Sequence, residues 1–475
     1  MLSEYLRKRK NLVGTKIVCA EGDCGSCTLL RLFPLQAGKQ KNIFLPINSC
    51  ITTLAQMDGS SLVTVEALAT AKTISANTNK FLDSAKNSEL TSVQKAMMNC
   101  HGSQCGFCTP GFVMALTGLV EKKLCSTKSK IITDQEAKNA LTGNLCRCTG
   151  YQPIIDAAKS IDFTDSKTIK NRFYSAKIKN ELLKILKIEL KIEVPDFSFT
   201  APVSIKKAVV NLNKNTRLVA AATDLGVVHN KRKIQLNKLL SLHLIPHLYK
   251  IKKISKNRLY VGARVTLSDL REQTKTSIPE FATFLDLFAS PQIKNVATLV
   301  GNIATASPIA DTPPFLLLMN TNVEITGPKG KRSVPLEDFF IAYRKINLKE
   351  HEIITALIFD IPKKSEVIAL YKVSQRKDMD ISAVNFAARL TWSDSNKNKI
   401  KQIKFAVGGV AATTLRLHKT EKVLLAAKPT AEKLAEAVLN LHSEISPLSD
   451  LRGSDAFRHV IAENLFHKFF REKVL

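Results

Sequence analysis

Cys19-Ala20-Glu21-Gly22-Asp23-Cys24-Gly25-Ser26-Cys27 decides how the first third of this chain reads. Three thiols separated by four and then two residues, with Cys50 downstream, form the plant-type 2Fe-2S ferredoxin pattern, in which one loop wraps a cluster and a distant thiolate closes it. Gly22 and Gly25 let the backbone bend and approach inorganic sulfur without a Cβ in the way. Zinc knuckles favour two Cys-x2-Cys pairs over a four-residue spacer, so zinc is the weaker reading.

Working outward, a second group follows: Cys105-x2-Cys108 and Cys146-x-Cys148. A single residue between two ligands is unusual for structural zinc. Cys105 and Cys108 precede a helix expected from Pro110, whose positive end should lower thiol pKa values and favour ligation. The remaining two of the ten cysteines, Cys100 and Cys125, read as a buried small hydrophobe or a surface thiol. All ten lie before residue 151, with no secretory apolar segment at the N-terminus, so metal ligation in a reducing, cytoplasmic setting is expected ahead of disulfides.

The chain has 475 residues, a soft prior for about three domains. Its 45% apolar and 23% charged composition excludes a disordered, collagen-like or low-complexity whole. The longest apolar run, Phe315-Leu316-Leu317-Leu318-Met319, falls far short of the roughly 18 residues of a membrane helix. The net charge of +29 is spread end to end without a nucleic-acid signature, which reads as a solvated lysine-rich surface, with neither nucleic acid nor membrane as partner.

Up to residue 73 the pattern is a small sheet with one early helix. From about Thr91 the texture is helical: residues 92–100, then 110–123 with apolar residues at helical spacing, and a capping box from Thr133 to Glu136 with Gly143 as a stop. Residues 163–194 are a lysine-rich linker with an amphipathic helix. Strand candidates follow at 218–222, 258–262 and 322–326, and then at 367–373, 387–392 and 403–407. Two helical stretches, 430–442 and 455–471, end the chain.

Three longer motifs, residues 14–28, His101-Gly102-Ser103-Gln104-Cys105-Gly106-Phe107-Cys108-Thr109-Pro110-Gly111 and Gly143-Asn144-Leu145-Cys146-Arg147-Cys148-Thr149-Gly150-Tyr151, resemble the iron-sulfur portion of the molybdenum hydroxylases, the xanthine dehydrogenase and aldehyde oxidase family. The rest of the chain resembles the flavin portion of that family, particularly the separate small subunit of its bacterial members. The resemblance implies a multidomain α+β chain. It would comprise an N-terminally truncated β-grasp 2Fe-2S ferredoxin-like domain (1–73), a helical-bundle 2Fe-2S domain (74–162), the linker (163–194), an FAD-binding domain (195–365) and a CO-dehydrogenase-flavoprotein-like C-terminal domain (366–475).

The same resemblance implies the site. Cys19, Cys24, Cys27 and Cys50 would hold one 2Fe-2S cluster, and Cys105, Cys108, Cys146 and Cys148 the other, with Gln104 and Cys148 at the positions nearest the molybdopterin. Leu218, Val219, Ala220, Ala221, Ala222, Thr223, Asp224 and Leu225 would form the strand and turn that cradle the FAD pyrophosphate through backbone amides. Within the second flavin motif, 297–314, Ala297, Gly301, Asn302, Thr305 and Asp311 match cofactor contacts, and Phe288 matches an aromatic packed on the cofactor. Lys372 and the run 376–382 match a loop near the isoalloxazine. No residue of this chain is expected to act on the oxidised substrate itself.

The implied role is electron transfer. Electrons from a molybdopterin-binding large subunit would pass through two 2Fe-2S clusters to FAD and then to NAD+, in oxidation of hypoxanthine and xanthine, within a dimer of heterodimers. Alternatives are the same role in an aldehyde or N-heterocycle hydroxylase, or a non-enzymatic degraded remnant. Departures from the family pattern motivate the last. The family's usual N-terminal β-hairpin is missing before the helix at residues 2–9, which would expose a sheet edge. Ala221 stands where glycine is usual, so a positive φ there would cost roughly 1 kcal/mol or more. Val18 and Val300 also replace glycines.

Overall fold

Thr28–Leu32 reads Thr-Leu-Leu-Arg-Leu and every residue in it is buried, the mark of a strand covered on both faces. In the computed structural model it is the centre of a three-stranded antiparallel sheet, between Leu45–Asn48 and Ser61–Val63. Leu2 and Leu6 of the helix Leu2–Lys8 pack with Leu29 and Ile47 on one side. The helix Thr109–Ser126 covers the other, burying Phe112, Val113 and Leu116 with Leu30 and Leu32.

The structure describes residues 1–36, 42–71, 88–126, 129–164, 166–394 and 396–474. The domain boundary expected at residue 73 lies outside them. The chain divides into two compact units: Met1–Val203, Arg217–Leu244 and Ser290–Ala297 form one, and Ser204–Thr216, Ile245–Ala289 and Thr298–Leu475 the other.

In the first unit four helices, Ser92–Asn99, Thr109–Ser126, Asp134–Leu141 and Gln152–Lys159, share one apolar core. Two of them start at reciprocal caps. Thr133 Oγ1 accepts from the Glu136 amide at 3.2 Å while Glu136 accepts from the Thr133 amide at 2.9 Å, and Thr91 and Gln94 form the same box. The linker holds two helices, Ile169–Phe173 and Ala176–Ile185, the second with no fully buried residue. A mixed sheet follows in the order Leu190–Val194, Phe197–Ala201, Lys238–Ser241, Arg217–Val219, its last two pairings parallel.

The second unit contains a five-stranded antiparallel sheet in the order Ile251–Ser255, Arg258–Gly262, Ile353–Asp360, Asn322–Gly327, Gly330–Pro335. Beside it Phe281 stacks on Phe315 with centroids 3.8 Å apart. A four-stranded antiparallel sheet, Val367–Val373, Val384–Trp392, Ile400–Gly408 and Leu415–Arg416, is covered by Ala431–Glu444 and Asp455–Lys473. Phe386, Phe405, Phe466, Phe469 and Phe470 are all but fully buried between them, each side chain contributing about 2 kcal/mol of burial. Among the described residues no helix is long and apolar enough to cross a membrane.

Candidate functional site

The loop carrying the first thiols has no regular structure between the helix Leu2–Lys8 and the strand Thr28–Leu32. It is held by specific bonds. The amides of Glu21 and Cys24 donate to Cys19 Sγ at 3.4 and 3.5 Å, and Asn48 Nδ2 lies 3.8 Å from Cys27 Sγ. From the helix Leu225–Asn230, Asn230 Nδ2 donates to the carbonyls of Ala20 and Cys50 at 2.8 and 2.9 Å, fastening both ends of the site. Cys24, Cys27 and Cys50 are buried and Cys19 is half-buried.

The four sulfurs touch in a chain. Cys19 accepts from the thiols of Cys24 and Cys50, which holds its pKa far below the usual thiol value, and Cys27 accepts from Cys50 and is lowered as well. Cys24 and Cys50 are raised in turn, first through those donated bonds and then through burial. Four thiolates this close repel one another, so full ionisation asks for cationic charge among them.

In the second group Cys148 Sγ lies 3.5 Å from Cys105 Sγ. The Phe107 amide, and then the Cys148 thiol, hold Cys105 below its ordinary pKa, while Cys148 is raised by its bond to Cys105. Burial, and then the bond to Cys146, push Cys108 up to about 12. The expected lowering by the helix start therefore fails at Cys108, where desolvation is the larger effect. Burial of Cys146 raises it, but the Thr149 hydroxyl, 3.1 Å away, and the Thr149 amide outweigh that and leave it lowered.

Among the described residues no set of three or more His, Cys, Asp or Glu side chains closes around a single metal ion. Sulfur contacts join Cys19 to Cys24 and to Cys50, and Cys50 to Cys27, in the first group, and Cys105 to Cys148 and Cys108 to Cys146 in the second. Two thiolates per iron is the donor set of a dinuclear cluster, whereas structural zinc wants four sulfurs about one centre. Cys100 and Cys125 join neither group; Cys100 Sγ faces the Ser160 hydroxyl at 3.4 Å and Cys125 is exposed.

The first flavin motif lies in the first unit. The strand is shorter than expected, Arg217–Val219, because the chain turns out of it at Ala220. Gln56 Nε2 donates to the Ala220 carbonyl at 2.9 Å and the Gly226 amide donates to that of Ala222. The amides of Ala221, Ala222, Thr223, Asp224 and Leu225 find no acceptor among the described residues. These are the five successive amides to which the family resemblance assigns the FAD pyrophosphate, in the turn before the helix Leu225–Asn230. The left-handed residue is Ala222, with φ +62, and Ala221 does not share it, so the strain expected at Ala221 sits one residue on.

Ala297 is buried in the first unit, its amide donating to the Ile293 carbonyl at 2.8 Å. Phe288, Gly301, Asn302, Thr305, Asp311 and Lys372 belong to the second unit. Asn302 Oδ1 accepts from Thr312 Oγ1 at 2.6 Å, and its Nδ2 has no partner among the described residues. Thr305 Oγ1 donates back to the Asn302 carbonyl, and the Gly301 amide donates to Thr298 Oγ1 at 2.9 Å. Asp311 is spent internally: Lys372 Nζ lies 2.7 Å from Oδ2 and Ser382 Oγ donates to Oδ1 at 2.5 Å. Lys372 is only 3% exposed, so this pair braces the loop after Val373 from beneath. Phe288 is half-buried behind Ala289, whose φ is +52.

Sequence reasoning passed over Asn48, Gln56, Asn144, Asn230 and Gln292. Each acts by a side-chain amide on a segment distant in sequence, so no local spacing marks it. Thr91-x-x-Gln94, by contrast, carried a legible capping signal.

Comparison with known proteins follows the same division. The family described as a 2Fe-2S binding domain matches residues 78–159. The FAD binding domain in molybdopterin dehydrogenase matches 195–364, and the CO dehydrogenase flavoprotein C-terminal domain matches 369–473. Xanthine dehydrogenase 1 of Arabidopsis thaliana is 28% identical over 99% of this chain and 38% of its own length. Xanthine dehydrogenase of Oryza sativa subsp. japonica gives the same three figures. The chain thus spans well under half of these relatives. Among solved structures, a carbon monoxide dehydrogenase from Hydrogenophaga pseudoflava that lacks the Mo-pyranopterin moiety of the molybdenum cofactor superposes with TM-score 0.55 and 25% identity, over 58% of this chain and 96% of that one. Reconstituted CO dehydrogenase from Oligotropha carboxidovorans gives TM-score 0.54 and 25% identity over 58% of this chain and 97% of its own.

Proposed function

We propose, from the premise that this chain belongs to the molybdenum hydroxylase family and carries its iron-sulfur and flavin domains, that it is the electron-transfer portion of a xanthine dehydrogenase. Electrons would arrive from a molybdopterin-bearing partner and leave on NAD+, with a purine as the substrate oxidised on that partner. The observation that carries the reading is the assembly of eight thiols into two groups of four inside one compact unit that also holds the open amides of residues 221–225. When bound, the clusters supply single-electron storage and the flavin converts single electrons into hydride.

The chain's own residues bind and orient. Cys19, Cys24, Cys27 and Cys50 supply one set of thiolates, and the Glu21 and Cys24 amides and the Asn48 side chain present donors to sulfur. Cys105, Cys108, Cys146 and Cys148 supply the other, with Thr149 donating to Cys146. Residues 221–225 offer amides to a pyrophosphate. Asn302 offers an Nδ2 without a partner among the described residues, and the buried Lys372–Asp311 pair holds Asp311 in place.

Likeness to xanthine dehydrogenases over 99% of the chain supports the purine reading over aldehyde or N-heterocycle oxidation. The test is anaerobic expression with and without a molybdopterin-binding partner polypeptide. The expected protein holds about four irons with matching acid-labile sulfide and one flavin per chain. It oxidises NADH with an artificial acceptor by itself, and oxidises xanthine only with the partner. Zinc in place of iron, or flavin without iron, would overturn the reading.

A further inference from the structure

Between the two thiol groups the first unit has a joint built from three segments. The Leu145 amide donates to the Cys24 carbonyl at 3.0 Å, so a ligand of the first group and the neighbour of Cys146 in the second share one hydrogen bond. Asn144 Nδ2 donates to the Gly25 carbonyl at 3.2 Å, beside that bond. The loops approach so closely that a Cβ on Gly25 would stand 2.2 Å from the Gly143 carbonyl. The third segment is the helical turn Pro291–Lys294. Its Gln292 is 0% exposed, and Nε2 donates to Asn144 Oδ1 at 2.8 Å and to Thr28 Oγ1 at 3.3 Å. Gln292 Oε1 has no hydrogen-bond partner among the described residues and lies against Gly143, where a Cβ would stand 2.1 Å away.

A buried amide left half-satisfied against a glycine is a poor stabilising device, since an orphaned acceptor keeps its desolvation penalty. It is a good positioning device. By occupying Asn144 Oδ1, Gln292 fixes which way the Asn144 amide points, which turns Nδ2 toward Gly25 and keeps the Leu145 amide on the Cys24 carbonyl. Electron tunnelling decays steeply with distance, and less steeply along covalent and hydrogen bonds than across gaps. A bonded route between the groups runs from Cys24 through its carbonyl to the Leu145 amide and on to Cys146.

We infer that Gln292 is a positioning residue that sets the electronic coupling between the two cysteine groups by orienting Asn144 and locking the Leu145–Cys24 hydrogen bond. The step it serves moves one electron from the reduced cluster of one group to the oxidised cluster of the other, with no bond made or broken and no proton transferred. The inference rests on the assignment of both groups to 2Fe-2S clusters.

The test compares the whole chain with Gln292→Leu, Gln292→Glu and a control, Asn295→Leu. Asn295 is a buried amide on the same segment whose Nδ2 bonds the Pro46 carbonyl at 2.8 Å, in the strand Leu45–Asn48. Iron and sulfide content are measured first. The fully dithionite-reduced protein is then examined by low-temperature EPR for spin–spin splitting between the clusters, and electron equilibration is followed after pulsed photoreduction. Gln292→Leu should retain full iron and each cluster's own g-values, with altered splitting and equilibration slowed about tenfold, as for supporting residues around metal sites. Gln292→Glu keeps shape and a hydrogen-bonding group and should fall between, and Asn295→Leu should match the parent in both readouts.

Unchanged splitting and rate in both Gln292 variants at full iron would overturn the inference while leaving the cluster assignment standing. If Gln292→Leu does not fold, Gln292→Glu decides alone on the same two readouts. Absence of iron in the parent chain would overturn both together.

Discussion

The two cysteine groups have the same composition and opposite surroundings. Cys27 and Cys50 are 1% and 2% exposed, enclosed by a loop, a strand end and Asn230, whereas Cys105 and Cys148 stand exposed at the start of a helix and in a turn. Around the second group Phe107, Leu145 and Tyr151 leave large apolar surface open, at 51%, 46% and 38%. The first site is part of the core of its unit, and the second is a feature of its surface. Under the proposed function this matches their tasks: an outer group able to meet a partner's cofactor, and an inner one shielded from water and tied through Gln56 and Asn230 to the residues beside the amide cradle.

The largest expected contrast is chemical. In iron-free protein at pH 8, Cys108, at about 12, is ionised in roughly one molecule in ten thousand. Cys105 is exposed and lowered, and Cys27 and Cys50 are sealed by burial. Alkylation read by mass spectrometry should therefore label Cys105 first and Cys108 far more slowly, with Cys50 reached only at the rate of unfolding. The sign follows from the thiolate being the reactive form, so a raised pKa slows the reaction until the pH climbs toward it. Equal labelling of Cys50 and Cys105 would erase the contrast between the groups.

Next in size is the cost of losing one ligand. Cys50→Ser should remove about half the iron and cost about 3 kcal/mol or more, because it loses both the metal's contribution and a buried thiol contact. Cys148→Ser should remove a similar share of iron and lose the metal's contribution as well, but cost less than Cys50→Ser, since an exposed position leaves nothing buried and unsatisfied. Thermal unfolding with parallel iron analysis checks both; similar melting shifts would show that the second group also holds the fold together. Gly25→Ala comes after these, at about 2 to 3 kcal/mol. Its φ of +66 disfavours a side chain, and the Cβ would meet backbone at 2.2 Å, which cannot swing aside.

How far the sequence revealed this follows from the range of each interaction. Spacing within a loop exposed the ligands Cys19, Cys24 and Cys27, and the Thr133–Glu136 box marked a helix start that the structure has. The strands at 258–262 and 367–373 fall where the strand-like runs placed them. What stayed hidden is long-range. Residues 217–244 and 290–297, expected within one flavin domain, pack in the unit that contains both cysteine groups, and nothing in their own composition says so. Gln292 bonds Thr28 across 264 positions. The desolvation that lifts Cys108 also depends on tertiary neighbours, and a helix-dipole argument applied to sequence alone has no access to them.

The smallest effect bears on the amide cradle that the inner group adjoins. Family resemblance puts a glycine at Ala221, but the backbone takes its left-handed turn at Ala222, φ +62 and 5% exposed. An alanine there is strained by about 1 kcal/mol, and glycine's greater unfolded-state freedom returns part of that, so Ala222→Gly should stabilise the flavin-free protein by about 0.5 kcal/mol. Ala221→Gly should do the opposite by a similar amount, because Ala221 packs against the cluster of Leu2, Leu29 and Ile47 and has no strain to relieve. Denaturant midpoints of the two variants at equal m-values separate these signs. The reverse order would move the turn back to Ala221 and change which amides face outward, and the pyrophosphate cradle would then have to be redrawn.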